Sequence, residues 1–306
     1  MLSVLLGGGP KLTSVLTTEA LTKRYRRKTA LNDCTLELPE GRVVGLVGPN
    51  GSGKTTLLNL AAGLLSPTSG SLKVLGEAPS DDPQHLERVS FVAQDTPVYS
   101  ALSVEDHVSY GAHVNPRWDR DLAERRIEDL GLDPRQRAGK LSGGQRSQLA
   151  LTLAIAKRPQ FLILDEPVAA LDPLARREFL QVLMETVADQ DVSVVLSSHL
   201  VADVERVCDY IVILVSSRVQ IAGDVDDLLA THHRLIGSRD ADAPTGQVVI
   251  ESSYTDRQSM LIVRSDGPVA DPGWVVEAIS LEDLVLAYMG QGRRLDRVVS
   301  ADSSSS

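Results

Sequence analysis

Short apolar runs bounded by turn residues recur along the chain and predict buried strands. Three of them are almost unbroken, namely Val43–Val47, Phe161–Leu164 and Val192–Leu196. An apolar strand without alternation is buried on both faces, which is typical of a parallel sheet. Helical patterns alternate with several of these strands, so the sequence predicts an α/β core.

The pattern changes between about residues 96 and 158, where no convincing strand is found. The stretches DLAERRIEDLGL and SQLALTLAIAK instead repeat apolar residues at helical spacing. We therefore expect a helical subdomain, about residues 96–158, inserted into the α/β core.

A second change follows residue 225. The stretches QVVIESS, SMLIVRSD and GWVVEAI resemble strands, and SLEDLVLAYMG resembles a helix in which Ser280 and Asp283 form a capping box. His232 and His233 lack further ligands nearby and do not indicate a metal site. The predicted organisation is a flexible leader (1–14), an α/β unit (15–234), a small α+β accessory region (235–290) and a disordered, serine-rich tail (291–306). Because the accessory region contains no chemical motif, we expect the chemistry to proceed without it.

Composition limits the possible functions. The chain of 306 residues is 42% hydrophobic and 24% charged, which suits a globular protein with a large core. Cys34 and Cys208 are far apart and are expected to be reduced core thiols. The net charge of −10 argues against binding to nucleic-acid backbones. No apolar run approaches the roughly 18 residues of a membrane span, so we expect a cytoplasmic protein.

The stretch GPNGSGKT fits the phosphate-loop pattern G-x-x-x-x-G-K-[ST]. It follows the strand RVVGLV and opens the helix TTLLNLAAGLL, which is the context that this motif requires. Glycines let backbone N–H groups converge on a phosphate, and the start of a helix adds partial positive charge. Lys54 would reach the β- and γ-phosphates, and Thr55 would ligate Mg²⁺. The residues predicted to hold a nucleotide here are Gly48, Pro49, Asn50, Gly51, Ser52, Gly53, Lys54, Thr55 and Thr56.

The stretch FLILDEP is a buried strand that ends in two carboxylates. Beside a phosphate loop, Asp165 would hold Mg²⁺ and Glu166 would accept a proton from an attacking water. This pair favours hydrolysis over nucleotide binding alone.

Between these two motifs lies LSGGQ, which resembles the signature of ABC-type ATPases. The resemblance covers roughly residues 15–225 and implies further roles. Gln94 in FVAQD is similar to the glutamine that senses Mg²⁺ and the transporter partner, and His199 in LSSHL to the histidine at the γ-phosphate. Asp172 in AALDP would lie at a dimer interface, and Tyr25 against adenine.

In this family the phosphate loop of one subunit faces the signature helix of another, with ATP between them. The resemblance therefore implies a homodimer or heterodimer that binds ATP and Mg²⁺ at its interface. The signature residues expected to contact the partner's nucleotide are Leu141, Ser142, Gly143, Gly144 and Gln145.

The stretches NPRWD, VAALDPLARREFL and SSHLVADVERVCDYIVIL resemble bacterial multidrug or antibiotic exporter ATPases. They imply an ATP-hydrolysing subunit that docks on a separate permease at the cytoplasmic face of the membrane, with no nucleic acid as partner. The alternatives are a soluble ABC ATPase acting on DNA or the ribosome, an ATP-gated dimerising module with little turnover, and a small-molecule kinase. A soluble ABC ATPase usually has two nucleotide domains or a long coiled coil, and neither is found in this sequence. A module with little turnover needs neither Glu166 nor His199, and LSGGQ has no role in a small-molecule kinase.

Overall fold

The computed structural model describes residues 13–26, 28–95, 98–169, 171–239, 241, 245–269 and 271–303, with side chains up to residue 292. Most of the leader expected over residues 1–14 lies outside the described residues. None of the helices in these ranges is both long enough and apolar enough to cross a bilayer.

The strands and helices are numbered in chain order. The strands are β1 (Ser14–Tyr25), β2 (Lys28–Pro39), β3 (Val43–Val47), β4 (Ser69–Val74), β5 (Val89–Val92), β6 (Phe161–Leu164), β7 (Ser193–Ser198), β8 (Tyr210–Val215), β9 (Arg218–Asp224), β10 (His232–Ser238), β11 (Val248–Tyr254), β12 (Gln258–Arg264) and β13 (Trp274–Ala278). The α-helices are α1 (Lys54–Ala61), α2 (Pro83–Arg88), α3 (Val104–Val114), α4 (Arg120–Asp129), α5 (Gly143–Ala156), α6 (Pro173–Gln190), α7 (Val201–Val207), α8 (Val225–Thr231) and α9 (Leu281–Ser303).

A six-stranded sheet forms the centre of the molecule, in the order β5-β6-β7-β3-β8-β9. The first five strands are parallel, and β9 is antiparallel to β8. Every residue of β3, β6 and β7 is buried, as their unbroken apolar character predicts. Cys34 and Cys208 are free and buried, in agreement with their expected place in the core. The predicted α/β class is confirmed.

A three-stranded antiparallel sheet, β2-β1-β4, packs beside the central sheet. Leucines of β1 and β2 share one hydrophobic cluster with α1 and with the face of β3 that carries Val44 and Leu46. The antiparallel sheet therefore covers α1. The start of β2 lies close to the loop that precedes α1, since a side chain on Gly53 would collide with the Ala30 carbonyl oxygen.

The chain between β5 and β6 contains helices α3, α4 and α5 and no strand in its described part. These helices share a separate hydrophobic cluster that includes Val104, Ile127, Leu141 and Leu149. The observed elements correspond to the helical insertion predicted for this stretch.

A second antiparallel sheet, β11-β12-β10-β13, follows α8. The capping box at the start of α9 is present, since Ser280 Oγ accepts from Asp283 N at 3.1 Å and Asp283 Oδ2 from Ser280 N at 3.2 Å. Helix α9 continues to Ser303, where we expected a disordered tail from residue 291, and residues 304–306 lie outside the described residues. One face of α9 enters the core cluster of the central sheet, which thereby joins the C-terminal region to the rest of the chain.

Candidate functional site

The carboxyl ends of four neighbouring parallel strands bring the predicted chemical residues to one edge of the central sheet. In the sheet order, Gln94 follows β5, Asp165 and Glu166 follow β6, His199 follows β7, and the phosphate loop follows β3. Ligands of open α/β sheets bind at this kind of edge, outside the carboxyl ends of the strands.

The phosphate loop has the backbone geometry that an anion site needs. Gly51 and Gly53 have φ angles of 80° and 114°, which favour glycine. A side chain on Gly48 would collide with the carbonyl oxygen of Leu214, so the loop is packed tightly against β8. Helix α1 begins at Lys54, and its first N–H groups have no intrahelical acceptor. Such a loop followed by a helix start fits a phosphate group.

Lys54, Glu166 and His199 form a chain of polar contacts at this edge. Lys54 Nζ donates to the Gly48 carbonyl oxygen at 2.8 Å and lies 3.3 Å from Glu166 Oε1. The other carboxylate oxygen, Glu166 Oε2, is 2.6 Å from His199 Nδ1. Lys54 and Glu166 are buried, at 5% and 8% exposure, whereas the His199 side chain is 43% exposed. A carboxylate has about four lone-pair sites, so Glu166 can still accept a hydrogen bond from water.

Sequence reasoning missed Ser197, which joins the two carboxylate residues. Its hydroxyl donates to Asp165 Oδ1 at 2.7 Å and accepts from the backbone N–H of Glu166 at 2.8 Å. Leu164 is in register with Leu196, so Ser197 lies beside the two carboxylates. The signal in the sequence was a serine two positions before the histidine in LSSHL, at the end of a buried strand.

The backbone of Glu166 is strained, with a φ of 49° in the left-handed region. For a residue with a side chain this conformation costs about 1–2 kcal/mol. Strained backbone of this kind concentrates at functional sites, where the surrounding structure holds it in place. The hydrogen bond from Glu166 N to Ser197 provides part of that support.

The loop that carries His199 is fixed by residues on α6 and α7. Ser198 Oγ accepts from Leu200 N at 3.0 Å and lies 3.5 Å from Asp203 Oδ2. Arg176 Nη1 is 3.7 Å from Asp203 Oδ1. Burial raises the pKa of Asp203 above its usual value, and the positive charge of Arg176 opposes that rise.

Some predicted site residues lie at this edge without joining the contact chain. Thr55 is exposed in the first turn of α1, and Gln94 is exposed in the turn after β5. Tyr25 is 42% exposed at the end of β1, and the Lys23 ammonium lies 5.3 Å from its ring centroid. In the described part of the chain, no hydrogen bond or ion pair links these three side chains to Glu166.

The signature residues and Asp172 cap two helices. Ser142 is the N-cap of α5, and its side chain and that of Gln145 form a reciprocal capping box. Asp172 is the N-cap of α6, and its Oδ1 accepts from Leu174 N and Ala175 N, both at 3.0 Å. No hydrogen bond or ion pair among the described residues joins the signature to the phosphate loop of the same chain, and Ala170 lies outside those residues.

The donor set at the edge fits Mg²⁺ only together with phosphate oxygens. The described residues contain no group of three or more His, Cys, Asp or Glu side chains that could hold a metal ion. Mg²⁺ is usually bound by one or two carboxylates plus substrate phosphates and water, so Asp165 and Thr55 beside a phosphate loop suit it. The buried hydroxyl of Ser52, which has no hydrogen-bond partner in the part of the chain that the structure describes, adds a polar group within the loop.

The fold and this edge define a P-loop nucleotide-binding domain, and comparison with known proteins shows its family. The ABC transporter family matches residues 31–169. An uncharacterized ABC transporter ATP-binding protein of Bacillus subtilis, YxlF, is 36% identical over 70% of this chain and 72% of its own length. The chain therefore belongs to the family of ABC transporter ATP-binding proteins, whose members bind ATP.

Two further relatives are informative. The thiamine import ATP-binding protein ThiQ of Salmonella choleraesuis is 33% identical over 64% of this chain and 86% of its own length. The structure of cbiO1 from Clostridium perfringens, part of the ABC transporter complex cbiONQ, has a TM-score of 0.61 and 27% identity over 71% of this chain and 91% of that one.

Proposed function

We propose that this chain is the ATP-hydrolysing subunit of an ABC transporter whose permease is a separate chain. The observation that carries the proposal is the chain of contacts from Lys54 through Glu166 to His199 beside the phosphate loop. A module that only binds nucleotide has no need of a buried carboxylate in this place.

Binding of MgATP would use the loop and its neighbours. The N–H groups at the start of α1 and the Lys54 ammonium would hold the phosphates, while Thr55 and Asp165 would ligate Mg²⁺. The ion would neutralise charge that develops on the phosphates during transfer. Gln94 would contact Mg²⁺ from the turn after β5, and Tyr25 would stack on adenine from the end of β1.

Hydrolysis would use Glu166 as the general base. Its carboxylate is held between an ammonium and an imidazole, and its backbone is held by Ser197, so its position is defined before any water arrives. A positioned base of this kind contributes about 10²–10⁴-fold to the rate. His199 would orient Glu166 through Nδ1 and present its exposed edge to the γ-phosphate.

We propose that two ATPase subunits, identical or not, form the complete site. Ser142, Gly143 and Gln145 are exposed at the start of α5, where the N–H groups and partial positive charge of the helix suit a phosphate of a facing subunit. The Leu141 side chain is buried in the helical subdomain, so its part in this contact would be through the backbone. Asp172 would lie at the same interface. Through its permease the dimer would sit on the cytoplasmic face of the membrane, and we expect no nucleic acid as partner.

We propose export as the direction of transport, supported by the resemblance of NPRWD and SSHLVADVERVCDYIVIL to exporter ATPases. One relative is named for thiamine import, so similarity over the ATPase unit does not distinguish exporters from importers. Inverted membrane vesicles that contain the chain with its co-purified permease would test the direction. ATP-driven accumulation of substrate inside them supports export, and ATP-driven loss contradicts it.

The substitution Glu166→Gln tests the proposed hydrolysis. Glutamine keeps the size of the side chain but cannot accept a proton, so turnover of MgATP should fall at least about a hundredfold. MgATP should still bind, because Lys54, Thr55 and Asp165 remain, and an ATP-dependent dimer should persist in size-exclusion chromatography.

The control is Glu178→Gln, which makes the same change at an exposed position on α6. It should leave turnover within about twofold of the wild type. Equal turnover in the Glu166→Gln and Glu178→Gln variants would remove Glu166 from the role of base. A wild-type chain that never hydrolyses ATP, even with its permease, would favour the ATP-gated module.

A further inference from the structure

The hairpin formed by β1 and β2 is fixed against the phosphate loop. A side chain on Gly53 would collide with the Ala30 carbonyl oxygen, so the two backbones touch. Ser217, in the turn between β8 and β9, donates from its N–H to Ser52 O at 3.2 Å and from its hydroxyl to Thr29 O at 2.9 Å. One residue therefore binds both the loop and the start of β2.

This arrangement places Lys28, the first residue of β2, beside the tip of the loop. A side-chain carbon on Gly51 would lie 3.6 Å from Lys28 Nζ. Lys28 is exposed, and its ammonium has no hydrogen bond or ion pair to any described residue. By contrast, the ammonium of Lys54 is already bound by Gly48 O and faces Glu166. Lys28 therefore brings an uncompensated positive charge to the loop.

We propose that Lys28 binds the phosphate chain of the nucleotide as a second cation, in addition to Lys54. This inference rests on the proposed function, since it assigns Lys28 to the same nucleotide. Lys28 is the cross-strand partner of Tyr25, so the tip of one hairpin would contact both ends of the ligand. A triphosphate carries several negative charges, and an ammonium at hydrogen-bond distance forms a charge-assisted hydrogen bond with one of them.

The competing interpretation is that Lys28 is a solvated charge in the basic stretch KRYRRK. It would then change only the overall electrostatic potential around the nucleotide site, without contacting the phosphates. Lys73 provides a matched control for that effect. It is an exposed lysine of β4, paired with Thr17 at the far end of β1 from Tyr25. Thr17 lies eight residue steps along β1 from Tyr25, a span of up to about 26 Å at strand spacing. That distance exceeds the Debye length of about 8–10 Å near physiological salt.

The test measures MgATP affinity and its salt dependence for Lys28→Gln, Lys28→Arg and Lys73→Gln. We expect Lys28→Gln to weaken MgATP binding about tenfold, which corresponds to about 1.4 kcal/mol. Raising the salt concentration from about 50 to about 300 mM screens charges more strongly, and it should weaken MgATP binding less in this variant than in the wild type. Lys28→Arg keeps the charge and should retain most of the affinity. Lys73→Gln should stay within about twofold of the wild type.

Each result supports or overturns the inference. Equal affinities for Lys28→Gln and Lys73→Gln overturn it and leave the proposed function intact. Weaker binding of the Lys28→Gln variant with an unchanged salt dependence also overturns it, because the lysine would then act on loop structure alone. A wild-type chain that does not bind MgATP overturns the proposed function together with this inference. Since Lys28 is exposed, thermal unfolding of the variants should match the wild type.

Discussion

The hydroxyl of Ser197 holds the two carboxylate residues of the site in one arrangement. It fixes Asp165 through the side chain and Glu166 through the backbone N–H, and all three residues are buried. Loss of one partner leaves a buried polar group unsatisfied, which costs about 1–3 kcal/mol. Because Glu166 also has a strained φ, this hydroxyl stabilises the position that the proposed base requires.

The substitution Ser197→Ala should lower kcat for ATP hydrolysis about tenfold or more, with a smaller change in KM, because it disturbs the base more than the phosphate loop. Ser193→Ala is the matched control, since Ser193 lies on the same strand, is equally buried and accepts a hydrogen bond from Gly41 N at 2.9 Å. Both changes should lower the melting temperature by a similar amount. A similar kcat for both variants would show that Ser197 has only a structural role.

Local motifs allowed the sequence to predict some site residues and not others. The phosphate loop, Asp165 and Glu166 are recognisable because neighbouring residues in the chain define their context. Ser197 bonds to Asp165, 32 residues away in the chain, and Lys28 lies beside Gly51 of the phosphate loop. The stretch LSSHL marks a serine at the end of a buried strand, but sheet order and register determine which residues that serine contacts.

At the level of secondary structure, the prediction is most accurate where burial is uniform. The apolar runs at Val43–Val47 and Phe161–Leu164 match β3 and β6 at both ends. The predicted strand at Val192–Leu196 corresponds to β7, which begins at Ser193 and continues to Ser198. The polar end of β7 was not predicted because Ser197 and Ser198 resemble a loop in composition. The division into domains at residue 234 stays a prediction, although β10 begins at His232.

His232 links three elements of the C-terminal region and has no surface exposure. Nδ1 of His232 lies 2.7 Å from Leu228 O on α8, and because a carbonyl oxygen can only accept, Nδ1 carries the ring proton. Nε2 therefore accepts a hydrogen bond from the Tyr288 hydroxyl on α9 at 2.9 Å. Burial lowers the pKa of His232, and the positive charges of Arg264 and His233 lower it further. Burial also raises the pKa of Tyr288 to about 12, so this phenol stays a donor.

The lowered pKa of His232 predicts that the fold loses stability in mild acid. The unfolded histidine, with a pKa near 6.5, takes up a proton that the folded one resists. Stability should therefore be retained above about pH 6.5 and should fall as the pH decreases towards the folded pKa. Thermal unfolding between pH 8 and 5.5 measures this slope. His232→Gln should be less stable at pH 8 but should have a flatter slope than the wild type. Equal slopes in the two proteins would contradict the assignment.

At the scale of the whole molecule, the C-terminal helix belongs to the main core. Leu284, Val285 and Tyr288 of α9 share a cluster with Ile213 and Val215 of β8. A side-chain carbon on Gly292 would lie 2.6 Å from Val215 Cγ1, so the helix and the strand are in close contact. The sequence suggested that the region after residue 235 could be removed without loss of chemistry, because it contains no motif. The shared core changes that expectation, because β8 also packs against the phosphate loop at Gly48.

Removal of residues 281–306 should therefore destabilise the ATPase unit itself. Each large apolar side chain that returns to water costs about 1.5–3 kcal/mol, and Leu281, Leu284, Val285 and Tyr288 are all buried. Their sum is comparable with the whole stability of a domain, about 5–15 kcal/mol. We expect the truncated chain to aggregate or melt well below the wild type and to lose ATP binding. A chain that ends at residue 292 keeps these contacts and should bind ATP normally. A stable, ATP-binding chain that ends at residue 280 would show that α9 is an independent appendage.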